Sequence, residues 1–133
     1  MFGFFKKKEQ PKIAKEEISL SEEAQAIVRE EIGQLRQIIV KENQTDVEKL
    51  AILYEELGMK QAELNEVAEA IKSLESSLRF KKTIGNGYKK LMSLYNKKRA
   101  ESARNGDNQG IDYYMGKMDE MRQIAKQVTI NGK

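Results

Sequence analysis

Apolar residues recur at intervals of three and four along most of the chain, from about residue 19 to residue 128. This spacing places them on one face of an α-helix, whereas a half-buried strand would alternate with a period of two. The first stripe follows Ser21, whose hydroxyl can cap a helix N-terminus. We therefore predict a first helix that ends near Lys41, with an apolar face made of Ala24, Val28, Ile32, Leu35 and Ile39.

A second helix is predicted after Thr45, because Thr45 and Glu48 have the spacing of a capping box. Its apolar face consists of Val47, Leu50, Ala51, Tyr54 and Leu57. Gly58 is the predicted end of this helix, since glycine commonly follows a helix C-terminus. A third helix then carries an apolar stripe from Leu64 to Leu78, and so short a link predicts an antiparallel hairpin.

A second pair of helices is predicted beyond the break at Gly85-Asn86-Gly87. The apolar face of the fourth helix consists of Tyr88, Leu91, Met92 and Tyr95, and this helix ends near Gly106. The fifth helix carries a stripe from Ile111 to Val128. No strand pattern of useful length occurs anywhere in the sequence. The pattern therefore predicts an all-α protein of about five helices, arranged as antiparallel hairpins.

The ends of the chain lack this periodicity. Residues 1–18 contain the only proline and no helical stripe, so we expect a flexible N-terminal tail. The helical domain is expected to span residues 19–128, and residues 129–133 are expected to fray.

The two predicted hairpins repeat one another. Val47, Leu50, Ala51 and Tyr54 match, at a constant offset of 41 residues, the set Tyr88, Leu91, Met92 and Tyr95. A weaker match at an offset of 40 pairs Ala70 and Leu74 with Gly110 and Tyr114. This pattern of large, leucine, small and tyrosine positions resembles the tetratricopeptide repeat over residues 45–120. The repeat here is about 41 residues long against the family's 34, and Met92 stands where the family has a small residue.

The resemblance implies two stacked hairpins, with the first helix capping one end and the first helix of each hairpin lining a groove. The groove-facing positions of the second copy are Asn86, Lys89, Ser93, Asn96 and Lys97. They resemble the lysine and asparagine sets with which some family members hold the terminal carboxylate of a peptide. The corresponding positions of the first copy are mostly acidic and comprise Thr45, Glu48, Ile52, Glu55 and Glu56. The alternative interpretation is an irregular helical bundle with two similar hairpins.

The composition removes most catalytic and metal-binding chemistry. The chain has neither histidine nor cysteine, which excludes the usual zinc sites and the common nucleophile–base pairs. Carboxylate and lysine chemistry stay open. We expect a non-catalytic protein that needs no cofactor and no metal. Because the sequence shows neither a secretory signal nor an apolar run long enough for a membrane span, the expected location is the cytoplasm.

Charge is segregated along the chain. Residues 22–78 hold thirteen acidic and six basic residues, a net of −7, whereas residues 79–104 hold nine basic residues and one acidic residue, a net of +8. The formal net charge of +3 for the whole chain hides this difference. A basic block of this kind attracts an acidic protein or peptide, which is the partner we expect, and a nucleic acid is the first alternative.

The N-terminus carries a second candidate contact. Three aromatic and three basic residues stand together there: Phe2, Phe4, Phe5, Lys6, Lys7 and Lys8. Aromatic side chains that enter a membrane interface, beside lysines that attract anionic lipid, form a weak anchor. A regulatory or immunity-type protein at the inner face of the membrane is therefore the second alternative. The leading prediction is a helical adaptor that binds a protein or peptide.

Overall fold

The computed structural model describes residues 19–132 of the chain, and they fold into five α-helices. The helices are α1 (Glu22–Lys41), α2 (Val47–Glu63), α3 (Val67–Phe80), α4 (Asn86–Arg104) and α5 (Asn108–Gln127). A single π-helical turn, Val128–Gly132, extends α5. No β-strand occurs within these residues. The predicted all-α class and the number of helices are confirmed.

The helices pack as neighbouring pairs in chain order. α2 and α3 form one hairpin, α4 and α5 form the second, and α1 packs against α2. The hairpins meet where α4 contacts both α3 and α2. One apolar cluster fills the space between α1 and α2 around Leu50, and a second fills the space among α3, α4 and α5 around Leu74 and Leu91. The protein is thus an array of helical hairpins with an additional helix at one end.

Buried polar groups join the first three helices. In the amide orientation that satisfies all of its contacts, Gln61 Nε2 donates to Ser73 Oγ at 2.6 Å and Gln61 Oε1 accepts from an Arg36 guanidinium nitrogen at 3.2 Å. Ser77 Oγ donates to the carbonyl of Ala51 at 2.7 Å. Gln61 is only 1% exposed, so these bonds offset the cost of burying its amide.

The predicted N-cap of α1 is confirmed, whereas the predicted N-cap of α2 is wrong by one residue. Ser21 caps α1, because its Oγ accepts from the Ala24 N–H at 3.1 Å. The cap of α2 is Asp46, whose carboxylate accepts from the Lys49 N–H at 3.2 Å. The predicted cap, Thr45, instead donates its hydroxyl to Asn43 Oδ1.

The predicted end of the second helix at Gly58 is wrong, since α2 continues to Glu63. Gly58 lies inside the helix at its closest approach to α3. A Cβ at this position would stand 2.6 Å from Leu74 Cγ and 3.2 Å from the Ala70 carbonyl oxygen. The glycine therefore allows two helices to pack closely, and the chain turns seven residues later at Asn65, which has a φ of 59°.

The two hairpin turns repeat in backbone geometry at an offset of 41 residues. In the first turn, the N–H of Asn65 donates to Ala62 and that of Glu66 donates to Gln61, which is a Schellman motif. In the second turn, the N–H of Gly106 donates to Ala103 and that of Asp107 donates to Ser102. Gly106 has a φ of 70°, matching the left-handed backbone of Asn65. The sequence repeat is therefore also a repeat of structure at the turns.

The two ends of the chain differ in what the structure describes. Residues 1–18 and Lys133 lie outside the described residues, so the predicted N-terminal tail is not addressed. Residues 128–132 continue the last helix as the π-helical turn. That the C-terminus frays stays a prediction.

Replacing Gly58 with alanine is expected to lower the free energy of unfolding by about 1–3 kcal/mol, because the new methyl group overpacks the contact with Leu74. Gly33→Ala and Gly116→Ala are matched controls, since nothing lies within 4 Å of a Cβ at either helical position. Each control should raise the free energy of unfolding by about 0.5–1 kcal/mol. Urea unfolding followed by circular dichroism measures all three. A Gly58→Ala protein as stable as the controls would contradict the close packing.

Candidate functional site

The N-terminus of α4 is capped by a carboxylate from the other hairpin. Gly85 occupies the N-cap position of α4 and supplies no side-chain cap. Instead Glu55 of α2 accepts from the backbone N–H of Gly87 at 2.6 Å through its Oε2. A Cβ on Gly87 would lie 2.7 Å from this oxygen, so the absence of a side chain lets the carboxylate reach the helix. A negative charge here is also favoured by the helix dipole.

A second contact fixes the register between α2 and α4. Lys97 Nζ donates to Asn65 Oδ1 at 3.1 Å, and both this pair and the Glu55–Gly87 pair are separated by 32 residues in sequence. The equal separation means that α2 and α4 run parallel. Residues 55–65 therefore lie beside residues 87–97.

Two tyrosines of α4 hold the helices on either side of it. Tyr95 donates its hydroxyl to Glu75 Oε2 of α3 at 2.5 Å, and Tyr88 donates to the carbonyl of Met121 in α5 at 2.9 Å. Tyr95 is 2% exposed. Its burial, and then its hydrogen bond to the Glu75 carboxylate and the charge of that group, raise the pKa of the phenol above the ordinary value. Tyr95 is therefore a neutral donor locked into the core.

The residues predicted to bind a partner lie on α4, and most of them are accessible. Asn86, Lys89, Ser93 and Asn96 are exposed, and Lys89 has no ion-pair partner among the described residues. Lys97 is partly buried and turned toward Asn65. Four of the five side chains are thus accessible to a partner, although Asn96 Oδ1 already accepts from Arg99, whereas Lys97 would first have to leave Asn65.

The matching positions of α2 divide in the same way. Ile52 is 63% exposed and Glu56 is exposed. Glu48 is exposed and pairs with Lys81 at 3.2 Å, while Glu55 is occupied as the cap of α4. We define the α2–α4 face as the exposed positions of these two helices that the repeat pattern assigns to a groove, comprising Glu48, Ile52, Glu56, Lys89, Ser93 and Asn96. One helix of this face is acidic and the other is basic.

Part of the basic block of residues 79–104 is engaged within the protein. Lys98 Nζ lies 2.9 Å from Glu101 Oε1. Their hydrogen bond raises the pKa of Lys98 and lowers the pKa of Glu101. Lys82, Lys89 and Lys90 have no ion-pair partner in the described part of the chain. The net charge of the block therefore overstates the number of cations available to a partner.

Most tyrosines serve packing, as the apolar stripes predict. Tyr54 stacks on Phe80 with 5.7 Å between ring centroids, and Tyr95 and Tyr114 pack together in the second apolar cluster. Tyr113 is 56% exposed and meets Tyr114 edge-on. The aromatic and lysine residues of the N-terminus, Phe2, Phe4, Phe5, Lys6, Lys7 and Lys8, lie outside the described residues.

A second concave surface, which the sequence pattern does not predict, lies between α3 and α5. A cavity of about 160 Å³ opens there above α4, with Leu91 and Tyr95 at its base. We call it the α3–α5 cleft. α5, and α3 together with the residues just after it, line the cleft at intervals of three, four and seven, a spacing readable in the sequence. Which two helix faces oppose each other depends on packing angles that the sequence does not show.

Other types of site are not found in residues 19–132. No group of three acidic residues there is placed to hold a metal ion. Nor does any helix of this region have the length and apolar character needed to cross a membrane. Comparison with known proteins adds no assignment, because no family model, curated protein or solved structure matches the chain.

Removing the cap of α4 should weaken the joint between the hairpins. Glu55→Ala leaves the first turn of α4 without its acceptor, so we expect a loss of about 1 kcal/mol in the free energy of unfolding. Amide hydrogen exchange at Gly87 and Tyr88 should accelerate at the same time. Glu56→Ala, which removes an exposed carboxylate one residue away, is the control and should change neither quantity. Equal effects of the two substitutions would argue against the cap.

The buried Tyr95 predicts a loss of stability at high pH. Its folded pKa is raised, so the unfolded phenol ionises above pH ~10 while the folded one keeps its proton. The free energy of unfolding should therefore fall as the pH rises beyond that value. Tyr95→Phe should remove this part of the pH dependence, whereas Tyr113→Phe, at an exposed ring, should retain it. Urea unfolding at pH 8 and pH 11 measures the difference, and identical pH dependence in both variants would contradict the assignment.

Proposed function

We propose that this protein is a non-catalytic helical adaptor, similar to tetratricopeptide proteins, that binds a protein or peptide on its α2–α4 face. The observation that carries the proposal is the pairing of an acidic and a basic helix side by side, with exposed polar side chains on both. The backbone repeat at the two hairpin turns supports a stacked-repeat arrangement. In such arrangements the first helices of successive hairpins present a continuous binding surface.

The chemistry of α4 favours an acidic partner segment with a free terminal carboxylate. Lys89 offers an ammonium without an internal partner, and the nearby Ser93 and Asn96 add neutral polar groups. Asn96 Oδ1 already accepts a hydrogen bond from Arg99 Nε. The amide nitrogen of Asn96 is therefore the group that can donate a hydrogen bond to a partner. Charged hydrogen bonds of this kind suit a carboxylate.

The acidic residues of α2 would set the direction of the bound peptide. Glu56 follows the cap Glu55 on α2 and lies on the side of this helix that faces Gln34 and Ile38 of α1. A peptide with its acidic end on α4 and a basic or apolar part near Ile52 would match both helices. The reverse orientation would place like charges together, which is unfavourable.

The proposal is tested with acidic synthetic peptides that carry a free C-terminal carboxylate, each paired with an amidated copy. Fluorescence anisotropy should show that Lys89→Glu with Lys97→Glu weakens binding about tenfold or more, because the attraction of Lys89 becomes repulsion and Lys97→Glu adds a second negative charge to the same helix. The control Lys72→Glu with Lys126→Glu changes the net charge equally at exposed positions of α3 and α5 and should bind normally. Amidation should weaken binding to the unchanged protein.

Three results would count against this function. Equal affinity of both charge-reversal variants for the peptide would show that the peptide does not bind to the α2–α4 face. Equal affinity for the free and the amidated peptide would show that the terminal carboxylate is not bound. Tighter binding to short single-stranded DNA, with a steep loss between low and physiological salt, would favour the nucleic-acid alternative.

A further inference from the structure

The α3–α5 cleft exists because α4 holds its two neighbours apart. α3 and α5 each pack against α4, and the backbones of α3 and α5 do not approach one another closely. The hydroxyls of Tyr95 and Tyr88 fasten α4 to α3 on one side and to α5 on the other. The base of the cleft is accordingly made of well-packed side chains, with Leu91 1% exposed. It is a formed surface and does not require a rearrangement to open.

The walls of the cleft have apolar interiors and charged edges. α3 contributes Leu78 between the charged residues Glu75 and Arg79, and Lys82 continues the same side of the chain just beyond the helix. α5 contributes Met121 and Ile124. An apolar strip bordered by charge on two parallel walls is the arrangement that accepts the apolar side of a peptide helix.

The acidic residues at the edges of the cleft already have partners, whereas two basic residues there have no ion-pair partner within residues 19–132. Glu75 accepts the Tyr95 hydroxyl, and Glu120 pairs with Lys117 at 3.2 Å, so both acids of the cleft are engaged. Arg79 donates to the hydroxyl of Ser76 and keeps its charge unpaired. Lys82 has no ion-pair partner within residues 19–132. One end of the cleft therefore presents two cations to whatever lies in it.

We propose that the α3–α5 cleft binds an acidic amphipathic peptide segment of a partner protein. Its apolar side chains enter the cavity above Leu91, and its carboxylates pair with Arg79 and Lys82. The cavity of about 160 Å³ admits side chains and not a whole helix, whose diameter is about 10 Å. The peptide therefore lies along the edges of the two walls. This surface is separate from the α2–α4 face and would give the protein a second contact.

The probe is a synthetic peptide with leucines at intervals of three, four and seven and glutamates elsewhere. A scrambled peptide of the same composition provides equal charge without an apolar side. Protein labelled with ¹³C at the methionine methyls reports the position, since Met121 lines the cleft and Met59 packs on the α2 side of the second cluster. The periodic peptide should shift the Met121 signal and leave Met59 unchanged.

Charge reversal then tests the cations. Arg79→Glu with Lys82→Glu should weaken binding of the periodic peptide about tenfold, since both positions are exposed and face its carboxylates. Arg29→Glu with Lys41→Glu makes the same change of net charge on α1 and should alter the affinity less than about twofold. The Lys89→Glu and Lys97→Glu protein should bind the periodic peptide normally, which separates this site from the α2–α4 face.

The inference fails if the Met121 methyl signal stays in place at saturation, or if the scrambled peptide binds as tightly as the periodic one. It fails equally if the α1 control loses as much affinity as the cleft variant. Loss of binding in the Lys89 and Lys97 variant alone would move the contact to the α2–α4 face.

Discussion

The bond between the Glu55 carboxylate and the backbone of α4 joins the two halves of this protein. One apolar cluster is shared by α3, α4 and α5, and α4 contacts both helices of the first hairpin, α2 and α3. Because Gly85 and Gly87 supply no cap or bulk at the start of α4, the helix depends on an acceptor from outside itself. Capping in this way satisfies an orphan backbone donor and fixes where the second hairpin begins relative to the first. Both candidate surfaces are consequences of that placement.

The two surfaces arise on opposite sides of the same helix. On one side, the position of α4 next to α2 brings a basic helix beside an acidic one. On the other, α4 separates α3 from α5 and leaves a cleft. The tyrosine hydroxyls matter here because each bonds a flanking helix at one defined point, whereas the hydrophobic effect is non-directional. Recognition by this protein would then depend on how α4 is held more than on the loops.

Periodicity was sufficient to predict the five helices, because every helix buries one apolar stripe at intervals of three and four. The errors concern residues with two structural uses. Glycine commonly follows the end of a helix, but Gly58 instead allows α2 to pack closely against Leu74 of α3. Nothing in the neighbouring sequence distinguishes these two roles. Asn65 makes the turn through a left-handed backbone that asparagine tolerates less easily than glycine. Helical spacing was enough to predict that Lys89 is exposed. The contacts of Glu55 with Gly87 and of Lys97 with Asn65 depend on the register of α2 against α4, which the sequence does not show.

The two Schellman turns share a backbone path and differ in side chain, and this difference gives the array a polarity. Asn65 makes the turn and also offers its amide oxygen to Lys97 of the following hairpin. Gly106, at the equivalent place 41 residues later, makes the same turn with nothing beyond the backbone to offer. The two turns are thus alike in backbone shape alone. The first turn also bonds to the following hairpin through Asn65, whereas the second only reverses the chain direction.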